Sequence, residues 1–168
     1  MSFRDFLAAI KSEQLRSVAK HWDDVRETRT IPAWNGIQPT RIAGALPILW
    51  VYRYDRDTDS FTGRLAGDRI ERIFGKSFRG APMREIYPEQ DYPHLFARAK
   101  RVTCEPAFYR GEGTVFRHVN HYGLGERIML PLSRDGVLGD GILGATAYES
   151  QLGVSPEGAL EEESWFSF

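Results

Sequence analysis

Four histidines, one cysteine and three closely spaced aspartates are the residues through which this chain could do chemistry. His118 and His121 form an H-x-x-H, and His94 could add a third nitrogen to a metal. On a strand, three-residue spacing sends two imidazoles to opposite faces, so this pair shares a metal only across a bend. Partly exposed structural histidines are the plainer reading, and no metal is expected. His94, on a helix beside apolar residues, is the single candidate for an axial haem ligand. Asp55, Asp57 and Asp59 match the first three ligand positions of a calcium loop, but Ser60 stands where the sharp-turn glycine belongs and Ala66 where the bidentate glutamate belongs. A solvated hairpin turn accounts for them. Cys104 lies near a predicted helix C-terminus, which disfavours the thiolate, so it reads as a packed cysteine. Gly123-x-Gly125 lacks the third glycine and the strand–turn–helix context of a phosphate loop. A nucleophile elbow, a Walker loop, an H-E-x-x-H and a kinase signature are all missing, and no catalytic set assembles.

The aromatic residues say more. Trp50, Tyr52, Phe61, Phe74, Tyr87, Phe96 and Phe108 fall on strand faces or helix stripes that point between a sheet and short helices. Rings of that size either fill the core or leave a flat cavity for a small apolar or aromatic ligand, and filling is the plainer outcome. With His94 and Met129 they are the candidate pocket residues.

The elements that would position them follow from periodicity. Ser2 is a plausible N-cap with Asp5 three residues on, and Phe3, Leu7, Ile10, Val18 and Trp22 recur at helical steps. The spacing predicts one long amphipathic helix reaching His21 to Arg26. That helix lies on its own domain or, in the sharper version, also pairs with a second copy through those five residues. Pro32, Gly36 and Pro39 break regular structure in a connector. Residues 48–54 alternate as a strand with two largely apolar faces, 55–60 turn, and 61–66 return as a hairpin. Asp68 and Glu71 suggest a capping box for a two-turn helix that Gly75 stops. Short helices follow after Pro82 and across 91–102. Strand-like segments at 106–109, 114–119, 127–132 and 141–148 complete the order. Helices grouped between two runs of strands indicate α+β, with an antiparallel sheet covered on one face.

With 168 residues and 42% hydrophobic residues, the chain supports one domain. All 22 bases lie at or before Arg134 and seven of the 23 acids after it, so a body of formal charge +6 precedes an end of −7. The near-neutral total argues against a nucleic-acid partner. No apolar run approaches the roughly 20 residues a membrane helix needs. Arg4 and Asp5 interrupt any signal peptide, so the chain reads as cytoplasmic, without membrane insertion. One cysteine excludes an internal disulfide. The stretch 155–168 combines four acids with Trp165, Phe166 and Phe168, and either docks these rings or stays a disordered acidic tail.

Leu46-Pro47-Ile48-Leu49-Trp50-Val51-Tyr52, Phe61-Thr62-Gly63-Arg64-Leu65-Ala66-Gly67, Ile73-Phe74-Gly75, Gly80, Glu85-Ile86 and the late strand Glu126-Arg127-Ile128-Met129-Leu130-Pro131-Leu132, followed by Ile142-Leu143-Gly144, make the chain resemble a PAS domain, in particular the short stand-alone PAS-like proteins of bacteria. The resemblance implies a five-stranded antiparallel sheet cupped by short helices over residues 40–149. Residues 1–39 are then an N-terminal helix and connector, and 150–168 an acidic aromatic tail. It also implies a non-enzymatic sensory or regulatory module that acts through homodimerisation, a signalling partner protein or a small bound ligand. A small α+β cavity enzyme or ligand carrier, with His94 or Glu105 acting in the pocket, is the alternative. No cofactor is required: the flavin-adduct cysteine motif is missing, and only His94 hints at haem.

Overall fold

In the computed structural model of the chain, which describes residues 2–156 and 161–168, strand β1 (Leu49–Asp55) is the hinge of the architecture. Trp50, Tyr52 and Tyr54 face one side of it and Leu49 and Val51 the other, and all five are buried. Only a strand inside a two-sided core buries both sets. β2 (Ser60–Ala66) returns antiparallel to it across the acidic turn, where the Asp55 carboxylate accepts the N–H groups of Asp57 and Thr58. Three long strands follow later, β3 (Ala107–Arg117), β4 (His121–Ser133) and β5 (Gly139–Leu152), and the sheet closes as β5 pairs with β1.

The sheet has six strands, in the order β2-β1-β5-β4-β3-β6, and every pairing is antiparallel. The sixth, β6 (Glu162–Ser167), corrects the expected five: it is the acidic aromatic end of the chain, laid along the free edge of β3. Alternation explains how an acidic segment can do this. Phe166 is buried on one face, Trp165 stacks edge-on to Tyr109 on the other at 4.9 Å, and Glu162 stays in solvent. Glu157, another acid of that stretch, lies outside the described residues.

Both faces of the sheet are covered, where one was expected. α3 (Asp68–Phe74), α4 (Met83–Ile86) and α5 (Tyr92–Cys104) cover the face of Trp50 and Tyr52. α1 (Phe3–Ala9), α2 (Glu13–Arg26) and a 3₁₀ stretch (Pro39–Ile48) cover the other. The long N-terminal helix is thus two helices. The Ser12 side chain caps α2 by accepting from the Leu15 N–H, and the Glu126 carboxylate accepts the N–H groups of Lys11 and Ser12 at 2.8–3.1 Å. These contacts take N–H groups that a continuous helix would turn inward. The break folds both apolar stripes onto one sheet face. Ile10, Val18 and Trp22 are consequently buried in their own domain, and Phe3 and Leu7 pack partly buried against the same cluster. The apolar surface of these five side chains is thus used, wholly or in part, within the chain.

The capping box at α3 is corrected as well. Gly67 takes the N-cap position, and the Glu71 carboxylate accepts from the Phe78 N–H at 3.1 Å instead of reaching back. Gly75 does end the helix, in the left-handed conformation (φ 63°) that glycine adopts without strain.

Candidate ligand cleft

On the α3–α5 face the rings mostly fill the core. Trp50, Tyr52, Phe61, Tyr87 and Met129 are buried there, and Phe74 and Phe96 pack partly buried against them. The Trp50 indole lies over Gly144, where a side chain would collide with it, and donates to Thr146 Oγ1 at 2.9 Å. A gap lined by Trp50, Phe74, Tyr87 and Arg127 holds only about 10 Å³, room for one water at most. Phe108 is the exception among the candidates. Its side chain points to the opposite face, against Phe6 and Trp22 at 5.2 Å, because it alternates with Tyr109 along β3.

Beside this packed region, between α5 and the outer half of β3, a half-open cleft of about 300 Å³ remains. Phe74, Tyr87, Leu95 and Phe116 form its apolar walls, and His94 lines it while staying exposed. His94 therefore does not fit an axial ligand held in an apolar pocket. Glu105, exposed and 3.6 Å from Arg101, is not among the lining residues.

The cleft also has an ionic part that the aromatic pattern does not announce. Arg127, on the same strand face as Met129, is buried. Its Nη1 is 3.2 Å from Glu161 Oε2, its Nη2 donates to the Val115 carbonyl, and its Nε is buried without a hydrogen-bond partner among the described residues. Arg98 of α5 reaches the same Glu161 oxygen at 2.8 Å and Glu163 at 2.6 Å. The Glu161 side chain is only 5% exposed, and its second oxygen has no partner among the described residues. Outside the cleft lining the hydroxyls of Tyr52 and Tyr109 are buried, that of Tyr109 without a hydrogen-bond partner among the described residues. Burial raises the pKa of the Tyr52, Tyr87 and Tyr109 phenols, with the Glu161 charge adding to the rise at Tyr109, so all three remain neutral donors. The lining thus sets Arg98 and Arg127 against Glu161 and Glu163, with Asp91 also at the cleft, and guanidinium groups of this kind pair with carboxylates.

The other chemical candidates lie apart. His118 and His121 do meet, because the chain bends between β3 and β4 and the His118 N–H bonds the His121 carbonyl at 2.8 Å; their rings stack at 4.7 Å. No group of three or more metal-ligating side chains occurs among the described residues. Asp55 and Asp59 face different partners, Asp59 taking Tyr54 and Lys100, so the triplet does not converge. Cys104 is half-buried at the end of α5, 3.7 Å from Arg56.

Comparison with known proteins gives one family. The PAS domain model matches residues 10–147, a span that includes the α3–α5 face and the first five strands to Ala147 but stops short of Glu161 and β6. No curated protein matches. No helix among the described residues is long and apolar enough to cross a membrane.

Proposed function

The chain belongs to the PAS-domain family, and on that premise we propose that it is a sensory or regulatory module that binds a small molecule in the cleft between α5 and β3 without transforming it. The observation that carries this reading is the cleft itself: apolar ring walls beside a buried arginine, in a domain whose rings otherwise close its core. Catalysis would call for a nucleophile with a base at hydrogen-bonding distance. The cleft instead offers an exposed His94 and a Glu161 carboxylate held between two arginines.

A ligand alters behaviour only through different affinity for two states of its protein. The response then passes to a second copy or to a partner protein, through a surface other than the buried stripe of α1 and α2. The test is a small-molecule screen read by amide chemical shifts, with oligomer mass measured by light scattering on each hit. Shifts grouped at 94–98, 114–117 and 127 support the proposal. A screen in which no compound moves those amides refutes it.

A further inference from the structure

We infer that the ligand of the cleft is a small organic acid, a carboxylate on an apolar or aromatic body, and that its carboxylate replaces Glu161 on Arg98 and Arg127. This rests on the cleft being a binding site, and it names the class of ligand and the internal group that competes for the same place.

Glu161 fits its two arginines poorly. Among the described residues, Glu161 engages both arginines through Oε2, while its Oε1 and Arg127 Nε are buried without a partner. Unpaired polar atoms at such depth carry a desolvation cost that an ideal carboxylate–guanidinium contact avoids. Glu161 is tied to its own backbone and cannot choose its approach. A free carboxylate can, and it can satisfy the Nε–H that Glu161 leaves unpaired.

The position of Glu161 supports displacement. It enters from beyond the matched span 10–147 and lies over Gly111 of β3, where the strand has no side chain to exclude it; a methyl group there would overlap its carboxylate. The carboxylate is thus a plug laid onto the site from the end of the chain. The charge balance then selects the ligand. Removing Glu161 without replacement leaves Arg127 buried and uncompensated and Arg98 with only Glu163, which is costly. A neutral ligand meets that cost in full, whereas a carboxylate exchanges like for like. Phe74, Tyr87, Leu95 and Phe116 supply the apolar surface for its body, and a cleft of about 300 Å³ limits its size.

The experiment is calorimetric titration of phenylacetate and octanoate, with phenylacetamide and octanamide as uncharged counterparts, into the full chain and its E161Q, G111A and R98M variants. Thermal unfolding of each variant verifies folding. The wild type should bind the acids more tightly than the amides. E161Q should bind the acids about tenfold more tightly still, a difference of about 1.4 kcal/mol, and leave amide affinity unchanged. G111A, which evicts the Glu161 carboxylate by a different route, should show the same gain, and R98M should erase the preference for acids. Equal affinity for acids and amides in E161Q overturns the inference and leaves the cleft as a site for neutral ligands. No binding of any of the four to E161Q also overturns it. The cleft itself is lost as a binding site only if the broader screen finds no compound either.

Discussion

Glu126 to Met is the substitution that most directly tests why the N-terminal helix is two helices. The Glu126 side chain, in a residue 5% exposed, accepts from the Lys11 and Ser12 N–H groups at 2.8–3.1 Å and from Arg110 Nε at 2.5 Å. Methionine keeps much of the volume but removes both acceptor oxygens and the charge. The two backbone groups lie near the surface and can recover water, so each lost bond costs about 1 kcal/mol. Arg110 retains Glu112 at 2.6 Å, which holds its loss to about 1–2 kcal/mol, below the 3–5 kcal/mol of a fully broken buried pair. The total is about 3–4 kcal/mol, or a fall in Tm of about 6–16 °C for a domain of this size. Urea and thermal unfolding measure the global cost, and amide hydrogen exchange at Lys11 and Ser12 reads the junction itself. Exchange at these two amides should accelerate by more than the global loss accounts for. A double R110M/E126M variant should cost less than the two single variants summed, since it removes both charges together. A loss under about 1 kcal/mol with unchanged exchange at Lys11 and Ser12 would refute the reasoning and leave the Ser12 cap alone as the cause of the break.

Trp50 to Ala should cost about 3–5 kcal/mol, as truncation of a buried aromatic ring does, because the indole is 2% exposed and its N–H bond to Thr146 is lost with it; a chemical-denaturation difference below about 1 kcal/mol would contradict that packing. Stability should also fall in mild acid. His21 and His118 both have pKa values below the usual 6.5, burial being the main cause, with His121 adding to the effect at His118. The His21 Nε2 accepts the Gln38 N–H at 2.8 Å, a bond that protonation breaks. The unfolded chain takes up these protons near pH 6.5 and the folded chain resists them, so this contribution is whole above that pH and is lost as pH falls through the folded values. Unfolding free energies between about pH 7 and pH 5 should decline, and the decline should shrink in H21Q and H118Q; a flat wild-type profile would refute it.

Much of the fold is legible because it is local. β1 alternates two apolar sets, α3 ends at a glycine, and α5 carries a stripe of Leu95, Ala99 and Val102, so each shows its period within its own residues. The features that escape are made by distant partners. The break after Ala9 depends on a carboxylate 115 positions from Lys11, and nothing between Ile10 and Ser12 announces it. Arg110-Gly111-Glu112-Gly113 has the composition of a turn, yet it runs through the middle of β3: Arg110 pairs across to Glu126, and Gly111 makes room for Glu161. β6 is hidden for the same reason, since acids suggest solvent until Phe166 and Trp165 are seen to straddle a sheet edge.

The cleft divides along the same line. Its apolar walls at Phe74 and Tyr87 follow from periodicity, which tracks burial of hydrocarbon, whereas Arg98, Arg127 and Glu161 are charged and periodicity assigns charge to the surface. One signal did exist. In Glu126-Arg127-Ile128-Met129-Leu130 the strand alternation that turns Met129 into the core turns Arg127 the same way, and an arginine on an inward face must find a partner or a ligand. Its partner here, Glu161, leaves the Nε–H unpaired. A buried arginine left incompletely satisfied by the described residues is the strongest mark of a binding site in this domain, and the tightening of organic acids on E161Q is the measurement that reads it.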